Sequence, residues 1–183
     1  MLPIIKALLV GPNEEPMVYN SNTSRGVFVF DLAWSEVINA GVTLFGMLNT
    51  QADKSIYVRR FWIQFGFTGT AAASMMNFRL GVLSGVQYIT GAGLLVGATK
   101  RNGLSVETAH ARANAAGITV QGGLGGMALE RYTWRRNGDG SPKFETSYFD
   151  QPIELAPGEM LGLYLDANSV IGDRSVGGVD WSA

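Results

Sequence analysis

From residue 26 onward, apolar and aromatic residues come in short runs separated by turn formers, the pattern of strands rather than of long helices. Val27-Phe28-Val29-Phe30 and Val42-Thr43-Leu44-Phe45 read as strands, and residues 31–40 between them read as one short helix closed by Gly41. The strongest strand signal lies in residues 55–67. Here Tyr57, Phe61, Ile63, Phe65 and Phe67 share one parity while Ile56, Val58 and Trp62 occupy the other, as in a strand covered on both faces. Residues 75–83 alternate, with Phe78 and Leu80 on one face, and residues 91–99 form another apolar run between glycines. Ser105 ahead of the Ala-rich residues 106–116, with Gly117 behind them, fits a capped helix. The strand-like Ile118-Thr119-Val120 that follows fits a hairpin over the whole stretch equally well.

Gly122-Gly123-Leu124-Gly125-Gly126 reads as a flexible loop. Residues 127–136 and 143–149 read as strands that pair around Asn137-Gly138-Asp139-Gly140, whose Asn-Gly and Asp-Gly steps tolerate positive φ and favour a reversal. In residues 151–166, Pro157 and Gly158 meet the dihedral demands of the central positions of a type II turn. Ile153 and Leu155 precede that turn, and Leu161, Leu163 and Leu165 follow it, on one apolar parity. Residues 176–181 supply a last strand. Some eight to ten short strands with tight turns predict an antiparallel β-sandwich or jelly roll, mainly β, with at most one or two short helices. No repeat of solenoid or propeller length is present.

Residues 1–25 stand apart as an N-terminal arm in front of a single domain, residues 26–183. Leu2, Ile4, Ile5, Ala7, Leu8, Leu9 and Val10 are apolar, but Gly11-Pro12 and Glu14-Glu15-Pro16 interrupt any continuous helix or strand. Lys6, Pro3 and the lack of a small-residue cleavage pattern argue against a secretory signal, and no apolar run is long enough for a membrane helix, so no membrane partner is expected. Asn22-Thr23-Ser24 matches a glycosylation sequon and reads as a polar loop.

Composition sharpens this picture. Charged residues make up only 16% of the chain and hydrophobic residues 46%, well below the charged share usual for soluble domains, which suggests that something other than water covers part of the surface. The 24 glycines suit many tight turns. A net charge of −1 lacks the basic excess that draws proteins to phosphate backbones, so no nucleic acid partner is expected. With no Cys, disulfides, thiolate zinc sites and cysteine nucleophiles are excluded.

The search for chemistry returns little. His110 is the single histidine and reads as solvated or structural; Ser74, Ser84 and Ser105 all lack the Gly-x-Ser-x-Gly elbow of a hydrolase nucleophile. No pair of histidines exists for a metal, and Asn137-Gly138-Asp139-Gly140 lacks the acidic spacing of a calcium loop. The Gly-rich runs at 91–93 and 122–126 lack the Lys-Ser or Lys-Thr of a phosphate cradle. The expectation is therefore a non-enzyme with no cofactor and no metal. Arg59-Arg60 beside Phe61-Trp62, and Trp134 beside Arg135-Arg136, match the residue types enriched at the centres of protein interfaces. Leu2, Ile4, Ile5, Leu8, Leu9, Trp62, Trp134 and Arg135 are the candidate interface residues.

Residues 149–166, with their strand, Pro157-Gly158-Glu159 turn and alternating Leu strand, and the terminal strand ending Val179-Asp180-Trp181, resemble the closing strands of small jelly-roll structural proteins of tailed bacteriophage virions. The resemblance implies a structural protein that binds and stabilises a phage capsid shell, a cement or decoration protein. It implies a homo-oligomer, most often a trimer, partnered by the major capsid protein or another virion protein, and located in the virion after assembly in the host cytoplasm. A tail, fibre or receptor-binding protein, and a jelly-roll carbohydrate-binding module, are the alternatives.

Overall fold

The computed structural model describes residues 25–34, 37–67, 74–91, 94–95, 109–136, 143–166 and 173–182. These are all β, with no helix among them. The strands are β1 (Arg25–Ala33), β2 (Val42–Asn49), β3 (Ile56–Phe67), β4 (Ser74–Thr90), β5 (Leu94–Leu95), β6 (Ala109–Arg136), β7 (Lys143–Leu155), β8 (Met160–Leu165) and β9 (Asp173–Ser182).

Two antiparallel sheets face each other as a β-sandwich. The first has the order β1-β9-β3-β7 and the second β2-β8-β4-β6-β5. The long β6 also pairs with β2 through its N-terminal part, Leu48 lying opposite His110 and Thr43 opposite Ile118, so the second sheet's pairings run from β2 through β8, β4 and β6 back to β2. Phe28, Phe30 and Leu32 of β1, Phe61, Ile63 and Phe65 of β3, Phe45 and Met47 of β2, and Leu161, Leu163 and Leu165 of β8 meet in the main core. Stacked rings tie the layers together: Phe30 lies on Phe45 at 4.9 Å between centroids and Phe65 on Phe78 at 5.0 Å. Such offset aromatic contacts add about 0.5–1.5 kcal/mol beyond burial.

The outer face of the second sheet has its own cover. Leu48 of β2 and Met160 of β8 alternate with the core residues Met47 and Leu161 and so point away from the main core, where they pack with Val86 and Ile89 of β4 as a second, small cluster. Val86 N–H donates to the Gly158 carbonyl at 2.9 Å, fastening β4 to the turn before β8.

Several expectations need correction. The described residues of 31–40 form no helix: β1 continues through Ala33, because Asp31 and Ala33 alternate with the buried Leu32 and Trp34. The Ala-rich stretch is also a strand from residue 109 onward, for Ala109, Ala111 and Ala113 face the core while His110 and Arg112 point away. Residues 122–126 are not a loop but a bulged part of β6 paired with β4, with Gly122 and Gly123 at φ 79° and 99°. The strands either side of residues 137–142 do not pair, since β6 belongs to the second sheet and β7 to the first. β3 is not buried on both faces either. A bulge between Val58 and Arg60 shifts its parity, so that Ile56, Val58, Phe61, Ile63 and Phe65 all face the core while Tyr57 and Trp62 lie on the other side.

The turn at Pro157 and Gly158 has the expected form. Gly158 has φ 76° and Glu159 N–H donates to the Ala156 carbonyl at 2.9 Å. Its role differs from that of a hairpin, because β7 and β8 lie in different sheets and the turn carries the chain across the sandwich. Buried Asn49 holds this corner: its Nδ2 donates to the Leu155 and Lys54 carbonyls, both at 2.8 Å, and its Oδ1 accepts from Gln51 N–H at 2.9 Å.

Candidate interaction surface

The outer face of the first sheet carries two of the exposed large apolar side chains among the described residues, Val29 and Tyr57, with half-buried Val27, Trp62 and Val176 on the same side. It is built from the outward positions of three neighbouring strands, fixed by register. One row runs Val29, Gly178, Trp62; the next runs Val27, Asp180, Arg60; a third runs Asp31, Val176, Gln64; and Ser182 and Tyr57 close the end. Val29 is 47% exposed and Tyr57 38% exposed, while Val27, Trp62 and Val176 are half-buried.

Local sequence explains the shape of the face. Gly178 leaves room for the Trp62 indole, since a Cβ there would lie 2.7 Å from Trp62 Nε1 and 2.8 Å from the Phe28 carbonyl oxygen. The bulge adds Arg59 to the same side of β3 as Arg60, where its Nε donates to Ser182 Oγ at 3.3 Å. Extra residues of this kind re-aim side chains without breaking a strand.

Two ion pairs cross the strands of this face. Arg60 Nε lies 2.8 Å from Asp180. Arg174 grips Asp31 with two nitrogens, Nε at 3.0 Å from Oδ1 and a second contact to Oδ2, and this carboxylate raises the Arg174 pKa further above its ordinary value. Apolar side chains between neutralised ion pairs make a surface suited to another protein surface rather than to a phosphate chain.

The candidate residues from the sequence separate in space. Trp62 belongs to this face. Trp134 and Arg135 lie on β6 in the second sheet, in register with Met76 and Met75 of β4, and so are not brought together with Trp62 by strand pairing. Leu2, Ile4, Ile5, Leu8 and Leu9 lie outside the described residues. Sequence reading missed Val27, Val29, Tyr57 and Val176. The signal for the first two was present in the unbroken Val-Phe-Val-Phe run, where both parities are apolar; joining them to Tyr57 and Val176 needs the β1-β9-β3 register.

Other chemistry stays dispersed. His110 is exposed on β6 opposite Leu48, and among the described residues no three of His, Asp and Glu gather where a metal ion would sit. No protein-family model matches the chain, and comparison with curated proteins and with solved structures finds no match.

Proposed function

We propose that the chain is a non-enzymatic structural protein of a tailed-phage virion, a jelly roll of cement or decoration type that binds and stabilises the capsid shell as a homotrimer. Strand order supports the jelly-roll part. With the two-residue β5 set aside, β1-β9-β3-β7 against β2-β8-β4-β6 is what two nested Greek keys produce when the first strand pairs with the last and the second with the last but one. Fold does not carry function by itself. The observation that carries the assembly part is the outer face of the first sheet, where exposed Val29 and Tyr57 share the surface with half-buried Val27, Trp62 and Val176 beside the Arg60–Asp180 pair. Exposed apolar patches of this kind mark interaction sites in soluble proteins.

The test is co-sedimentation of the purified protein with emptied capsids of the phage that encodes it, followed by negative-stain imaging and thermal melting of the particles. Regular density over the shell and a raised particle melting temperature are expected. Density at the tail alone would replace the shell by a tail or fibre role, and binding to a glycan array without particle binding would replace both by a carbohydrate-binding module.

A further inference from the structure

We infer that the apolar segment at residues 1–10 of one copy docks on the outer face of the first sheet of a neighbouring copy, across Val29, Trp62 and Tyr57. The inference deepens the assembly reading above and rests on it. Three observations point to this occupant.

The first is chemical fit. The segment offers Leu2, Ile4, Ile5, Leu8 and Leu9 with Lys6 as its one charged side chain, and the face offers Val27, Val29 and Val176 between Arg–Asp pairs that already neutralise each other. An apolar strand laid there covers no unpaired charge of those pairs, which would otherwise be costly to desolvate.

The second is where the chain enters the sheet. β1 starts at Arg25, in one row with Ser182 and Tyr57 at the end of this face. Fourteen residues, 11–24, separate the segment from β1, and a chain of that length can span up to roughly 50 Å, longer than the roughly 30 Å of β1 itself. The segment therefore has the reach to cross to an adjacent subunit.

The third is the state of the single chain, in which Val29 and Tyr57 remain exposed. On the second sheet, by contrast, Leu48 and Met160 point away from the main core and are covered by Val86 and Ile89.

Because the chain has no Cys, cross-linking reads this contact directly. Full-length Leu8→Cys protein is mixed with full-length Val29→Cys protein and oxidised, and the same is done with Tyr88→Cys, an exposed site on β4 of the other sheet, as control. The expected result is a disulfide-linked heterodimer of L8C with V29C, several-fold above that of L8C with Y88C. Equal yields from both mixtures overturn the proposal. So does an L8C/V29C double variant that closes within one chain at high dilution, which would place the segment on its own sheet. Light scattering and capsid binding of the unmodified protein separate the two levels: assembly without the Leu8–Val29 link rejects the docking site alone, while a monomer that binds no particle rejects the assembly reading as well.

Discussion

Gly158 shows how much one residue decides. It sits at φ 76° in the corner between the sheets, and its N–H donates to the Asn49 carbonyl at 3.0 Å. A β-branched side chain is strained at such an angle. Gly158→Val should therefore destabilise the domain by about 1 kcal/mol or more, read as a lowered denaturation midpoint; an unchanged melting curve would count against this corner. Tyr164 makes a different prediction. Half-buried on β8, it has its phenol pKa raised by burial, partly opposed by the Arg79 guanidinium, which lies 5.3 Å from the ring centroid. A phenol that holds its proton more tightly folded than unfolded contributes stability that is fully present below the unfolded value of about 10 and is lost as pH rises through the folded one. Urea midpoints measured at rising alkaline pH should fall more steeply for the wild type than for Tyr164→Phe. Identical slopes would show the phenol to be as well solvated as in the unfolded chain.

Elements were legible where alternation is local and misread where a second signal overrode it. Ala109, Ala111 and Ala113 alternating with His110, Arg112 and Asn114 is a period of two, yet Ala content, the strongest helix propensity, suggested a helix. In the structure, pairing with β2 prevails over that propensity. The change of parity in β3 is likewise visible in the sequence, where burial on both faces and an extra residue at Arg59 leave the same pattern. Pairing was harder to read. The Asn-Gly and Asp-Gly steps after β6 look like a hairpin, and nothing local shows that the next strand belongs to the opposite sheet. The same limit hid the candidate surface, since Val29 meets Trp62 only through Gly178. The bulge gives a sharp test. Removing Arg59 leaves simple alternation and keeps Phe61, Ile63 and Phe65 facing inward, whereas removing Gln64 turns Phe65 outward and gives up its burial, about 1.5–3 kcal/mol before any register damage. Thermal melts should show the Arg59 deletion folded and the Gln64 deletion far less stable. The reverse order would mean that the inserted residue is essential to the pairing.

At the scale of the whole molecule, β9 is the last strand in the chain but not the last in its sheet: it lies between β1 and β3, with Arg25 opposite Ser182 on one side and Tyr57 opposite Ser182 on the other. Its Val179 and Trp181 belong to the main core. β1 has no partner in the first sheet other than β9 among the described residues. Removing residues 173–183 should therefore abolish cooperative unfolding rather than lower its midpoint, checked by loss of a sigmoidal melt; a truncated chain that still melts cooperatively would mean that β1 and β3 close without it. During translation the consequence is one of timing. Domains commonly begin to fold from the N-terminus as they are synthesised, but here β1, the earliest of the described strands, waits for β9, the latest of them. A chain arrested before β9 keeps β1 without its β9 partner and should be open to proteases, and extension through residue 182 should close the sheet and confer resistance. The order of the strands thus couples closure of the first sheet to synthesis of the chain through residue 182.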